Sequence, residues 1–220
     1  MGQKTNVNSL HLIKNKNWNS FWYSDYQNYR FIFQEDFYIY LYIRSQSNIK
    51  YQILKRKHTY NIEIVNNSIY RTHEAFILSL ELAYIINKKS HIQTVKFFIT
   101  CLLINLKRVF NYKKNSLLIS YTIGRNNAMF VGLKLASLIE KRIKFQSKLV
   151  DSFINMVECS GIYIVSKGRL NLIDRAKQDK ISIGAIPLQT IKANIDYSLI
   201  IANTKKGLQS IKVWIFFKYS

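Results

Sequence analysis

The apolar pattern sharpens after Gly124, and that stretch constrains the fold more than any other feature of the chain. Ala128, Val131, Leu135, Leu138 and Ile139 recur at spacings of three and four, which places them on one helical stripe, with Lys134, Lys141 and Lys144 off it. Asn126 and Asn127 stand where a helix cap is expected. A second helix is expected from about Ser147 to Glu158, with Leu149, Phe153, Met156 and Val157 inward, and Gly161 then opens a strand over Ile162–Val165. At the far end the period is two: Ile211, Val213, Ile215 and Phe217 share one face, and Lys212, Trp214, Phe216 and Lys218 the other. The expected architecture of residues 124–220 is therefore two helices on a small, mainly antiparallel sheet. Pro187, the only proline, is expected to start a strand, where its missing donor does no harm.

Upstream the pattern is less regular. Residues 1–44 are dense in aromatics, from Trp18, Phe21, Trp22 and Tyr23 to Tyr40 and Tyr42, with Lys4, Lys14, Lys16 and Arg30 among them. They read as an arm and a helix lying on RNA or on a neighbouring protein; a self-contained helical hairpin is the alternative. Residues 45–123 are rich in Lys, Ile and Asn and hold no glycine between Asn48 and Ile123. Tyr60–Val65 alternates as a strand, with Tyr60, Ile62 and Ile64 on one face. Ala75–Ile86 reads as a helix with Phe76, Leu80 and Ala83 on one stripe, and Val95–Leu106 as a short helix or strand. The longest apolar run, Phe97–Ile104, is far short of the ~20 residues that span a bilayer. The whole chain is placed in the α+β class.

The charge names the class of partner. Thirty-three Lys and Arg face twelve Asp and Glu, leaving +21, a self-repulsion that a polyanion neutralises. The aromatics add flat surfaces on which unpaired bases stack, although core packing explains many of the same rings. Basic membrane-surface proteins predict a basic amphipathic helix, and none stands out here. Cys101 and Cys159 lie apart without metal-ligand spacing and read as small buried hydrophobes; His11, His58, His73 and His91 are scattered. No Gly-rich phosphate loop, HExxH or nucleophile elbow is present, so the chain is not read as an enzyme, and no catalytic residue, metal or cofactor is expected. Ile, Asn, Lys and Tyr are heavily used, residues of A- and T-rich codons, which points to an organellar or AT-rich genome. The start MGQKTNVNSLHLIKNK has neither an apolar core nor an Arg-rich amphipathic pattern, so a protein working in an organelle is expected to be made there.

The start Met1–Lys4 and the later segments GRLNLIDRAK (Gly168–Lys177), IPLQT (Ile186–Thr190), NIDY (Asn194–Tyr197) and IKVWIF (Ile211–Phe216) occur in an order that resembles the family of the third protein of the small ribosomal subunit. WNSFWYSDY (Trp18–Tyr26) and NAMFVGLKLASLIEKRIKF (Asn127–Phe145) resemble the same family. The resemblance, to a mitochondrial or other organelle-encoded type, covers the first two dozen residues and about Asn127–Phe217. It implies a KH domain in the middle of the chain, whose Gly-x-x-Gly loop brings backbone amides against four nucleotides. With no glycine there, residues 45–123 are expected to be a degenerate KH-like region lacking that loop, with Lys55, Arg56, Lys57, Lys113 and Lys114 as side-chain substitutes. The domains are then an arm over 1–44, the KH-like region over 45–123 and a C-terminal ribosomal-protein domain over 124–220.

The resemblance also implies partners: small-subunit ribosomal RNA, neighbouring proteins of the subunit head, and messenger RNA where it enters, with no membrane. In the family basic residues line that entrance and help unwind the messenger; the matching places here hold Gln146, Ser147 and Val150, with Lys144 and Lys148 close by. At Ser9–Leu12 the family's Gly and Arg are missing, which weakens a phosphate contact at His11. Around the GRLNLIDRAK turn Lys167, Arg169, Arg175 and Lys177 present cations, and Asp174 is read as an orienting partner for an Arg. The expected RNA-binding residues are Lys4, Trp18, Trp22, Lys144, Lys148, Lys167, Arg169, Arg175, Lys177, Lys192 and Lys212. The expected role is a structural constituent of a mitochondrial or plastid ribosome; the alternative is a free-standing RNA-binding factor of an organelle.

Overall fold

The computed structural model describes residues 5–12, 14, 16–47, 51–52, 59–60, 62–72, 76–84, 99–108, 117–123, 127–155, 157, 159–170, 173–205 and 207–217. In chain order the elements are α1 (Val7–Leu10), β1 (Ser20–Phe21), α2 (Tyr26–Ser47), β2 (Tyr51–Gln52), β3 (Thr59–Tyr60), β4 (Ile62–Arg71), β5 (Phe76–Tyr84), α3 (residues 99–108), β6 (Leu117–Ile123), α4 (Ala128–Glu140), α5 (Lys148–Asn155), β7 (Gly161–Gly168), β8 (Lys177–Gly184), β9 (Asn194–Thr204) and β10 (Gly207–Phe217). They divide into two compact units: Trp18–Gly124, and a discontinuous one of Met1–Asn17 with Arg125–Ser220.

The Trp18–Gly124 unit is built on a sheet of order β1-β4-β5-β6, antiparallel between β4 and β5 and parallel at both edges. Its core joins Ile39 and Ile43 of α2, Ile99, Leu102 and Leu106 of α3, and Phe76, Leu78, Leu80 and Leu82 of β5. This mixed α/β arrangement is consistent with the KH-like region expected there. Phe76–Tyr84 is a strand, not the helix expected over Ala75–Ile86. Phe76 and Leu80 are four apart, a spacing that one face of a helix and one face of a strand share. Leu78 and Leu82, both fully buried, occupy the alternate positions and make the period two. The strand expected over Tyr60–Val65 is divided, Tyr60 closing β3 and Ile62 opening β4, which runs on to Arg71. Lys55, Arg56, Lys57, Lys113 and Lys114 lie outside the described residues.

One polar cluster in this unit had no signal in the sequence. Asp36 of α2 is buried and accepts from Trp22 Nε1 at 2.7 Å and from Arg71 Nε at 2.9 Å, with Arg71 Nη2 on the same oxygen. Arg71 Nη1 reaches Glu35 at 2.6 Å, and the guanidinium lies 4.8 Å from the Phe76 ring centre. The cluster ties the end of β4 to α2.

The discontinuous unit has the expected layers. Its sheet, order β8-β7-β10-β9, is antiparallel throughout. Ala128, Val131, Leu135 and Ile139 of α4 and Val150 and Ile154 of α5 cover Ile162, Ile164, Ile211, Val213 and Ile215. At Gly132 α4 lies tight against the sheet: a Cβ there would stand 2.8 Å from Ile200 Cγ1. Helix α5 is shorter than expected, and its inward residues are Val150 and Ile154; the side chains of Leu149, Phe153 and Met156 lie outside the described residues. Pro187 does not start a strand. It sits in the β8–β9 connection, where its carbonyl accepts from Thr190 N at 3.3 Å, seven residues before β9 begins at Asn194. Cys101 and Cys159 are half-buried free thiols rather than fully buried ones, and burial pushes the Cys159 thiol up, opposed by a backbone hydrogen bond from Gly161.

The other face of this sheet is also covered, and by the start of the chain. Val7 of α1 packs with Val165, Ala193, Ile195 and Trp214, with Tyr163 and Tyr197 beside them, each ring 5.2 Å from Trp214. Asn8 Nδ2 donates to Tyr197 O at 2.8 Å. His11 is fully buried, so no phosphate contact is made there. Asp196 joins three pieces: Oδ2 accepts from Ala128 N, the first amide of α4, at 2.7 Å, and Oδ1 accepts from Lys16 Nζ at 2.5 Å and from Tyr197 N at 3.0 Å. The α4 cap is thus a carboxylate from β9, because the Asn127 side chain makes no cap bond.

Candidate nucleic-acid interface

Strand register decides which cations share a surface, since residues directly opposite one another on neighbouring strands point the same way. Val165 of β7 is opposite Lys180 of β8 and Lys212 of β10, and Lys212 is opposite Leu199 of β9. The row Lys180–Val165–Lys212–Leu199 therefore crosses the sheet on the face away from α4. The adjacent row on that face is Gln178–Lys167–Ser210–Ile201. With strands about 4.8 Å apart, Lys180 and Lys212 stand roughly 10 Å from each other. Helix α1 and the aromatic cluster cover one end of this face as far as Val165; beyond it Lys167 and Lys180 are exposed, Lys212 is half-buried, and Leu199 and Ile201 are more than half exposed.

The β7–β8 turn continues the positive surface. Gly168 has φ 138°, and a Cβ there would stand 2.8 Å from Leu208 O, so the strand leaves the sheet through a conformation that favours glycine. Arg169 follows, its carbonyl accepting from Gln209 Nε2 at 2.7 Å. Its guanidinium is held by the turn itself: Nε donates to Ile173 O at 3.1 Å and Nη2 meets Asp174 Oδ1 at 3.0 Å. Asp174 thus orients Arg169, as expected. Arg175 is exposed on the same turn, and Lys177, the first residue of β8, is exposed beside it.

The remaining sequence-predicted residues scatter. Lys144 is exposed in the α4–α5 connection, Lys148 is exposed at the first position of α5, and Lys192 is exposed before β9. Trp18 is exposed, but Trp22 is half-buried with its N–H on Asp36 and its ring against Tyr29, so its indole serves its own unit. Lys4 lies outside the described residues. Val150, matched to a basic position of the entrance, is 1% exposed in the core and presents nothing to a messenger. Lys180 was missed. Only its pairing across Val165 with Lys212 reveals it, and that pairing is a property of the sheet.

Among the described residues, Asp174 and Asp196 are committed to partners in this unit, and no carboxylate is in ion-pair range of Lys167, Arg175, Lys177, Lys180, Lys192 or Lys212. A polyanion neutralising such an array would release its condensed counterions.

The family description "Ribosomal protein S3, C-terminal domain" matches residues 135–215. Over 98% of its length the chain is similar to small ribosomal subunit protein uS3 of Elm yellows phytoplasma, 31% identical over 221 residues and covering 82% of that relative. It is similar to uS3 of Borrelia garinii subsp. bavariensis at 30% identity, covering 70% of it, and to uS3 of Dictyoglomus turgidum at 28%, covering 83%.

Proposed function

This chain belongs to the uS3 family of small ribosomal subunit proteins, a structural and non-enzymatic family, and from that premise we propose that it fastens ribosomal RNA of the subunit head to neighbouring proteins. The observation that carries the reading is the open lysine face with the β7–β8 turn, on a chain whose similarity to uS3 proteins spans 98% of its length. Lys167, Lys180, Lys212, Arg175 and Lys177 meet phosphates, while Arg169, braced by Asp174, is oriented toward a further one. The exposed aromatics of α2 meet neighbouring proteins. Messenger RNA is contacted on the side where it enters, through Lys144 and Lys148, and without the cations that family members carry at the places of Gln146, Ser147 and Val150. The organellar setting rests on the Ile-, Asn-, Lys- and Tyr-rich composition alone; the relatives named above are bacterial.

Two measurements test this. In sucrose gradients the tagged chain should stay with small subunits through moderate-to-high-salt washing, and Arg169→Ala/Arg175→Ala should incorporate less. A chain that elutes early is instead a free-standing RNA-binding factor, and unchanged incorporation of the double variant removes both arginines from the interface. On isolated RNA, Lys167→Gln/Lys180→Gln/Lys212→Gln should flatten the log affinity against log salt slope by about 0.7–0.9 for each phosphate that is no longer neutralised. An unaltered slope would show that the open face is not where RNA lies.

A further inference from the structure

Helix α4 ends in a way its sequence does not favour. Arg142 N donates to Ile139 O at 2.8 Å and Ile143 N to Leu138 O at 3.1 Å, the paired bonds of a helix terminus that turns through the left-handed region. The residue that makes that turn is ordinarily glycine. Here it is Arg142, at φ 64°, the only non-glycine residue with positive φ among the described residues. A side chain costs stability there, and such outliers gather where a side chain is needed for binding.

Arg142 lines a cleft of about 200 Å³ with Lys144 on the α4–α5 connection and Lys205 in the β9–β10 turn. The floor is apolar: Ile139, Ile143, Phe145 and Leu170. Asn203, Thr204 and Gln209 add polar groups at the wall. Glu140 is the one carboxylate among the lining residues, and its Oε1 already accepts from Asn203 N at 3.1 Å. Three cations against one committed carboxylate select an anion, and the apolar floor selects an anion that carries a flat, weakly polar group. Pockets for whole drug-sized ligands are roughly 300–1,000 Å³, so this cleft takes a single residue-sized group.

We propose that this cleft holds one unpaired nucleotide of single-stranded RNA, its phosphate on Arg142, Lys144 and Lys205 and its base on the Ile143–Leu170 floor. The site lies on the α4 side of the sheet, opposite to the face of Lys167, Lys180 and Lys212. It rests on the ribosomal reading above and adds to it a contact that tells a single strand from a duplex. A duplex keeps its bases stacked and offers only phosphate, whereas an unstacked base can enter an apolar slot. A cation at a helix C-terminus also offsets the helix dipole, which is the purely structural account of Arg142.

Fluorescence anisotropy of the full chain with labelled oligouridylate and with an RNA duplex, over a salt series, separates the accounts. Arg142→Gly relieves the backbone and should leave the melting temperature equal or higher. It should weaken oligouridylate binding by about tenfold or more, as expected for losing a charged hydrogen bond. It should also lower the salt slope by about 0.7, with duplex binding little changed. Lys205→Gln, in an exposed turn, should do the same. Single-strand binding that survives both variants overturns the cleft while leaving the ribosomal reading standing; a wild-type chain that binds neither RNA overturns both. Oligoglutamate displacing oligouridylate as well as unlabelled oligouridylate would make the cleft a seat for an acidic protein segment. Inorganic phosphate doing so would make it a simple anion site. Either result refutes the nucleotide.

Discussion

Asp36→Ala is expected to destabilise the Trp18–Gly124 unit by about 3–5 kcal/mol, the loss seen when one partner of a buried ion pair is removed. Asp36 is 7% exposed, and its carboxylate receives Trp22 Nε1 and two nitrogens of Arg71. Without it, a cation whose side chain is 15% exposed keeps Glu35 and the Phe76 ring but gives up its most buried partner, and the indole N–H loses its acceptor. The cost comes from the buried charge-assisted hydrogen bonds lost by Arg71 and from the indole N–H left without its acceptor, rather than from the worth of the pair in water. Asp36→Leu with Arg71→Met should therefore cost less than Asp36→Ala alone, since both charges leave together. Amide exchange at Ile69 and Leu78, deep in that unit, reports the loss separately from the other unit. A change below about 1 kcal/mol would place the cluster with exposed ion pairs and contradict its burial.

In the discontinuous unit the corresponding residue is Asp196, and Asp196→Ala should cost about 2–3 kcal/mol. A helix cap contributes about 0.5–2 kcal/mol, and an amide left without an acceptor beside a buried residue costs about 1–3. Ala128 is fully buried, so water does not readily replace the lost oxygen. The Lys16 ion pair goes as well, and with it one hold on the segment carrying α1. Asp196→Asn keeps a cap acceptor and should lose much less. Urea denaturation followed through Trp214, which lies in this unit beneath α1, measures both variants. Equal stability of the Asn and Ala forms would show that charge, not capping, is what Asp196 supplies. Detachment of the first residues should also appear as faster proteolysis near Lys14.

Local periodicity is legible wherever one face alone is buried. The α4 stripe and the β10 alternation match the structure because every third or fourth, or every second, side chain is removed from water, and the residue order records it. The periodicity misleads at β5. Phe76 and Leu80 satisfy both periods, and only pairing with β4 on one side and β6 on the other selects the strand. It is incomplete at Trp214 and Phe216, which it assigns to an opposite face but not to a second core, since the residues that cover them come from the other end of the chain.

The cations follow the same division. Lys167, Arg169, Arg175 and Lys177 can be gathered from sequence because one short turn holds them. Lys180 cannot, nor can Arg142 with Lys205, since the first needs the sheet register and the second needs the end of α4 laid beside the β9–β10 turn.

By itself, the order of residues determined the family, the excess of positive charge and the elements whose burial repeats at a single period, all of which depend on neighbours a few positions apart. The tertiary structure alone decided that the start of the chain closes the C-terminal sheet, that an aspartate from β9 caps α4, and that Asp36 and Arg71 meet. The hydrogen bonds concerned join residues 35 to 189 positions apart. Contacts at such separations form only when folding brings the segments together, and no local pattern encodes which partner each will find.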